Sequence, residues 1–363
     1  MSAKLVDWDL AVRTARRLVK PGPVVSPLEA ADLVAELRSC AAAAQGHVRS
    51  YTGLVADERP PVAIVDRPGW VQANVDGFRV VLEPLLERLA TRRNGSAGGP
   101  LVSAVGSRVT GVQVGTILAY LASRVLGQYE LFLPPGEGSG RLTLVAPNIL
   151  ATERQLDVDP HDFRLWVALH EETHRTQFTA VPWLRDHVRA EMTAYVNASD
   201  LDPAAVWARL RAASVAVGDA IRGRGKGQGA VSLIEAVQTP EQLQVMDRLT
   251  GVMSLLEGHG DVVMDGVGPA VVPTVSDIRR KFERRRQAAG PVDRAIRRLF
   301  GIDLKMRQYA DGARFVRGVV AAVGMAGFNA VWTSPETLPD KAEIRDPASW
   351  MARVLGSRPA VSA

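Results

Sequence analysis

The stretch Trp166-Val-Ala-Leu-His-Glu-Glu-Thr-His-Arg-Thr-Gln-Phe178 constrains this chain more than any other. It contains His170-Glu171-x-x-His174, a spacing that has chemical meaning only on an α-helix. Residues four apart on a helix lie one turn above each other on one face, so two imidazoles can point at one ion. Imidazole nitrogen suits tetrahedral zinc. Glu171 follows the first histidine directly, so its carboxylate can sit beside the ion's open position and take a proton from water there. The flanking residues predict the helix. Asp159 is a good N-cap, Pro160 fits the first helical position, and Asp162 lies near the positive end of the helix dipole. Phe163, Trp166, Val167, His170, His174, Gln177 and Phe178 recur at helical spacing, and Pro182 closes the segment. A helix is therefore expected over about 160–181. The competing reading is two core histidines satisfied by backbone carbonyls. A motif match on a helix with the right face favours the ion.

At 363 residues and 47% hydrophobic content, the chain can build two or three compact lobes. Cys40 is its only cysteine. That rules out a disulfide framework and a Cys-rich zinc site, so the metal must use histidine and carboxylate. The N-terminal residues Met1 to Leu10 carry no apolar signal core. The apolar stretch Val316 to Trp332 is interrupted by Arg317, glycines and Asn329, and reads as too short and broken to span a bilayer. A reducing, cytoplasmic setting is expected. The net charge is +5, and Arg279, Arg280, Lys281, Arg284, Arg285, Arg286, Arg294, Arg297 and Arg298 crowd one segment. Its aromatics are limited to Phe282 and Phe300, and no nucleic-acid motif accompanies it. A solvated helix face is expected, with no specific nucleic-acid partner.

Along the chain, an N-terminal, mostly helical region over 1–127 and a metal-binding region over 128–363 are expected. The first holds a helix in residues 1–20, another from Pro27 to about Gln45 capped by Ser26, a strand Val62–Val65 followed by a turn at Asp66–Gly69, and helices Asn74–Arg93 and Gly111–Gly127 around a loop at 94–100. The second opens on two short strands, Tyr129–Leu133 and Arg141–Ala146, joined by a loop as a hairpin. Such a hairpin either binds an extended peptide at its edge or simply supports the histidine-bearing helix. Helices are expected at Trp183–Ser199 and Pro203–Arg222, a mobile connection at Gly223–Gly229, and a short helix around Trp350. The fold class is mainly α, within α+β, with a small sheet beside the motif helix.

Two histidines leave a catalytic zinc site one protein ligand short. The best source of a third is Met253-Ser-Leu-Leu-Glu-Gly-His-Gly-Asp-Val-Val-Met264, on a helix over about 240–265 opened by a capping box at Thr239 and Gln242. Met246, Leu249, Met253, Glu257, Asp261 and Met264 share one face of it. Glu257 is thus a carboxylate on an apolar stripe, where burial without a partner is costly and a metal removes the cost. An ordinary salt bridge to an arginine is the bland alternative. Asp261, one turn on, can accept a ring N–H from a liganding histidine. His259 competes with Glu257 as ligand, or serves as donor to a developing oxyanion. Glu191 is a weaker candidate ligand.

His170-Glu-x-x-His174 with a distant Glu257-x-x-x-Asp261 resembles the gluzincin class of zinc metallopeptidases. His170-Glu-Glu-Thr-His-Arg-Thr-Gln-Phe178, Val181-Pro-Trp-Leu-Arg185, Leu256-Glu-Gly-His259 and Trp332-x-x-Pro335-Glu336-x-Leu338-Pro339 resemble, more specifically, a zincin-like family of actinobacteria and their relatives. Members of that family carry names drawn from deazaflavin-cofactor biosynthesis, or are named simply as hydrolases. Nothing in these residues speaks for the deazaflavin association. The resemblance covers the chain from about residue 50 to the end and implies a zincin-like, mainly helical fold with one zinc.

The expectation is a zinc-dependent metallohydrolase, a peptidase acting on a peptide or protein. Its ligands would be His170, His174 and Glu257, with Glu171 as general base and His259, His187 or Tyr195 as oxyanion donor. The alternative is a zinc-containing accessory protein that binds a partner and uses the site structurally.

Overall fold

A computed structural model describes residues 6–56, 60–93, 100–198, 238–287 and 302–356. The chain forms two compact units, one from Met1–Arg185 with Gly260–Glu283, the other from Asp186–His259 with Arg284–Ala363.

The first unit is organised around a three-stranded sheet and the helix that carries the histidines. Strands β1 (Val62–Val65), β2 (Gly127–Glu130) and β3 (Arg141–Val145) stand in the order β1-β3-β2. β1 runs parallel to β3, pairing Val62 with Leu142 and Val65 with Val145. β2 runs antiparallel to β3, pairing Gly127 with Leu144 and Glu130 with Arg141. Leu142 to Val145 are all buried, as a central strand covered on both faces requires. β2 is left at the sheet edge. Glu130 ties it to β3: its carboxylate accepts from Arg141 Nε (3.1 Å) and Nη2 (2.7 Å), and from the Thr143 hydroxyl.

Helices α1 (Trp8–Leu18), α2 (Pro27–Thr52), α3 (Arg67–Arg93), α4 (Pro100–Ala122), α5 (Ala146–Leu156) and α6 (Pro160–Ala180) complete the N-terminal part of this unit. α2 begins as its residues dictate, with the Ser26 hydroxyl accepting from Glu29 N and Pro27 at the first position, and ends on left-handed Gly53. α3 starts at Arg67, so the expected turn at Asp66–Gly69 is instead a helix start: Asp66 Oδ1 accepts from Gly69 N at 2.7 Å. α4 covers 100–122, so Gly127 belongs to β2 and not to a helix end. α5 has no counterpart among the expected elements.

α6 forms where its caps place it. Asp159 accepts from Asp162 N (2.9 Å), Pro160 follows, and the helix ends before Pro182. It packs its apolar stripe into one core with α2 and the sheet, where Phe163, Trp166, Leu169, Leu37, Leu142, Leu144 and Ile149 are almost wholly buried. The final turns of α8 (Pro240–Gly266) and α9 (Val275–Gln287) close that core with Val263, Met264 and Ile278. The first part of the described basic run is paired internally. Arg279 meets Asp265 at 2.6 Å and Lys281 meets Asp277 at 3.1 Å, with Arg280 also bound to Asp277.

The second unit holds α7 (Pro182–Asn197) from Asp186 onward, the first five turns of α8, α10 (Ile302–Phe328) and α11 (Pro347–Leu355). α8 opens with the expected reciprocal cap between Thr239 and Gln242, at 3.0 Å in both directions. α10 is kinked at Gly324 (φ 71°). By length and composition Ala310–Trp332 is long and apolar enough to cross a membrane, which departs from the expectation that this stretch is too short. Its Phe315, Val316 and Val319 are buried, and Phe315 meets the ring of Trp350 edge-on at 5.5 Å. The expected helix at Pro203–Arg222, the connection at Gly223–Gly229, most of the loop at 94–100, and Arg294, Arg297 and Arg298 lie outside the described residues.

Candidate metal centre

His170 and His174 stand one turn apart on α6, as their spacing demands. Their Nε2 atoms are 3.2 Å apart and the rings are nearly perpendicular, at 87° with centroids 4.7 Å apart. Two imidazole nitrogens bound to one tetrahedral zinc stand about 3.3 Å apart, given zinc–nitrogen distances of ~2.0–2.1 Å. The pair therefore fits the ion without rearrangement. His174 Nδ1 meets Gln177 Oε1 at 2.9 Å. An amide oxygen only accepts, so the ring proton sits on Nδ1 and the Nε2 lone pair faces the His170 side.

Glu171 is buried at 6% exposure. It lies against Gly127 on β2: a Cβ there would stand 2.6 Å from Glu171 Cγ and 3.0 Å from Oε1. Helix and edge strand reach this separation only because residue 127 has no side chain. On α8, a Cβ at Gly260 would stand 3.0 Å from His170 Cε1 and Nδ1. Two bare backbones thus flank the motif, one against its carboxylate and one against its first imidazole.

Glu172 and Thr173 are both buried. Glu172 pairs with Arg175 at 2.7 Å, and Arg175 Nη1 donates to Pro60 O at 3.0 Å. Burial pushes the Glu172 carboxyl up to about 7 against the opposing charge of Arg175. Thr173 returns its hydroxyl to Leu169 O.

On α8, Asp261 is held by Arg279, whose Nη1 and Nη2 both lie 3.4 Å from Oδ1. The acceptor found on a motif histidine is Gln177, not the acid expected from sequence. Its signal was present, since position i+3 from His174 shares the histidine face. Gly127 gave no such signal, because nothing local links it to Glu171.

Glu257 lies in the stretch of α8 assigned to the second unit, one turn before Gly260. His259 is wholly buried in that unit, with its ring stacked on Phe328 (5.3 Å) and 5.4 Å from Trp332. Glu191 is taken by Arg248, which donates through Nε (2.9 Å) and Nη2 (2.8 Å). The Tyr195 hydroxyl accepts from Gln238 Nε2 at 2.6 Å. His187 stands on α7 within electrostatic reach of Glu336.

A comparison with curated proteins finds no match. Among solved structures, the chain is similar to a protein from Chloroflexus aurantiacus described as a candidate hydrolase with a novel fold. The two share 31% identity and a TM-score of 0.68, over 96% of this chain and 98% of the other. The family model of the zincin-like metallopeptidases matches residues 6–351. The match takes in both histidines, the carboxylate between them and the helix facing them, and this chain belongs to the zincin-like metallopeptidase family.

Proposed function

We propose that the chain is a zinc-dependent peptidase in which His170, His174 and Glu257 hold one ion and Glu171 is the general base. The observation that carries this reading is the pair of Nε2 atoms 3.2 Å apart, with the buried Glu171 between the two histidines in sequence. For Glu257 the support is the continuity of α8. Gly260 brings its backbone against His170, and Glu257 precedes it by three residues, one turn away on the adjoining face.

Zinc, when bound, supplies Lewis acidity and lowers the pKa of water. The protein supplies the rest. Gln177 keeps the His174 lone pair on Nε2. The Glu171 carboxylate takes the proton from the attacking water and delivers it to the leaving amine nitrogen. Gly127 holds that carboxylate from the strand side. β2 stands at the sheet edge, where an extended peptide can add as a further strand. We assign His259 to packing and not to the oxyanion, because a ring wholly buried on Phe328 cannot reach a substrate carbonyl. The buried Cys40 suits a reducing cytoplasmic setting, which belongs to the same proposal.

The test is metal content and peptide-library cleavage for the wild type and for His170→Ala, Glu257→Ala and Glu171→Gln. The expected result is one zinc per chain, lost with the first two variants, and zinc retained without cleavage in the third. Zinc surviving Glu257→Ala would replace the third ligand. A wild type that takes up no zinc after reconstitution would overturn the proposal.

A further inference from the structure

A second set of metal-ligating side chains lies within the first unit, where α2 crosses the start of α6. A carboxylate oxygen of Glu36, Sγ of Cys40 and a ring nitrogen of His161 all lie within 4.8 Å of one another. Glu36 and Cys40 stand one turn apart on α2, in the same i, i+4 relation that joins the motif histidines. His161 is the second residue of α6, nine positions before His170.

We infer that Glu36, Cys40 and His161 form a second cation site, selective for a thiophilic divalent ion such as zinc or cadmium. The donor set decides the class. One thiolate and one imidazole favour a soft or borderline ion over magnesium or calcium, which take oxygen ligands. A lone cysteine rules out a Cys-rich centre but serves well in a mixed one.

The geometry is close to what the ion needs. Ligands on one tetrahedral zinc stand roughly 3.3–3.6 Å apart, from bond lengths of about 2.3 Å to sulfur and 2.0–2.1 Å to nitrogen. His161 Nδ1 is already 3.2 Å from Glu36 Oε1. Closing the rest takes a shift of roughly 1 Å, and the His161 side chain, 66% exposed, is free to make it. Cys40 is buried at 2% exposure, so the ion enters from the histidine side and its fourth position opens to water. Arg164 does not block it. Its guanidinium is held by both Glu153 oxygens (2.9 and 2.6 Å), and it takes the other oxygen of Glu36. Glu36 Oε1 is thereby left turned toward His161. An ion here pins α2 to the first turn of α6 and so steadies the helix that carries His170.

The rival account is a surface His161–Glu36 ion pair above a cysteine that merely fills the core. Cadmium alone, added to full-length protein carrying His170→Ala and His174→Ala, separates the two without reference to the proposed catalytic centre. The expected result is one cadmium per chain with an ultraviolet thiolate-to-metal charge-transfer band. Cys40→Ser should abolish the band. His161→Ala, at an exposed position that leaves folding intact, should weaken binding at least tenfold. No band in the double-histidine variant overturns the inference. A band that His161→Ala leaves unchanged in affinity also overturns it, because it shows a lone thiol binding the probe by itself.

Discussion

Gln177 follows His174 by three residues on α6, and its Oε1 accepts the His174 Nδ1–H at 2.9 Å. One turn of helix thus supplies both the proposed ligand and the group that orients it. Replacing Gln177, which is fully buried, with leucine keeps the volume and removes the acceptor. Zinc affinity should fall about 10- to 100-fold, the usual effect of losing a hydrogen-bond partner behind a liganding histidine. Gln177→Glu should keep most of it. Chelator competition measures both, and equal affinity in the leucine variant would show that the ring needs no partner.

Gly127 makes the complementary prediction for the carboxylate. A methyl group 2.6 Å from Glu171 Cγ has no room, so Gly127→Ala should push this carboxylate, the proposed base, off its position. Turnover of a cleaved peptide should drop on the order of a hundredfold, the effect of a 1 Å misplacement. Zinc content should not change. Loss of zinc together with activity would mean the strand supports the whole helix and not the Glu171 carboxylate alone.

The parts of this fold that sequence revealed are those whose signals are local. Asp159, Pro160 and the apolar period all point to α6, and its bounds come out within a residue. The Thr239–Gln242 cap does the same for α8, and the short run Val62–Val65 for β1. Glycine misleads where it serves packing. Gly111 reads as a helix start, yet it lies inside α4, where a Cβ would come within 2.5 Å of Asp7 O on the segment leading into α1. The sheet order was hidden because β1 pairs with β3 across nearly eighty residues of chain. At the site, both histidines and Glu171 were legible because the motif spaces them on one helix. The Asp261 partner was not, because Arg279 comes from another helix and claims it first.

Asp162 shows how the α6 start is fixed from outside the motif. Its Oδ2 accepts from Thr274 N at 2.8 Å and from the Thr274 hydroxyl at 2.7 Å, in a buried setting. Hydrogen bonds to a charged group contribute about 1.5–3 kcal/mol each. Asp162→Ala should lower stability by about 3 kcal/mol in denaturant unfolding. Asp162→Asn, which keeps an acceptor, should lose less than half of that. Equal losses would mean that the charge matters more than the acceptor.

Arg353 on α11 forms an ion pair with Glu343 that makes part of the second unit's stability acid-sensitive. Its Nε and Nη2 bind Glu343 at 2.6 and 2.8 Å, while Nη1 and Nη2 also reach Glu336 O and Leu338 O. The hydrogen bond from Arg353 holds the Glu343 carboxyl below its ordinary value. A carboxyl whose pKa is depressed on folding adds stability above its unfolded pKa, and that stability is lost as pH falls through the folded value. The wild type should therefore lose part of its stability in the acid range, below the usual carboxylate pKa of about 4.3. Arg353→Gln should be destabilised by about 2 kcal/mol at neutral pH, the scale of the lost charged hydrogen bonds. It should lose correspondingly less on acidification. Unfolding followed by tryptophan fluorescence suits the test, since Trp350 Nε1 donates to Thr337 O beside this pair. Parallel pH profiles for the two proteins would assign the acid sensitivity to other carboxylates.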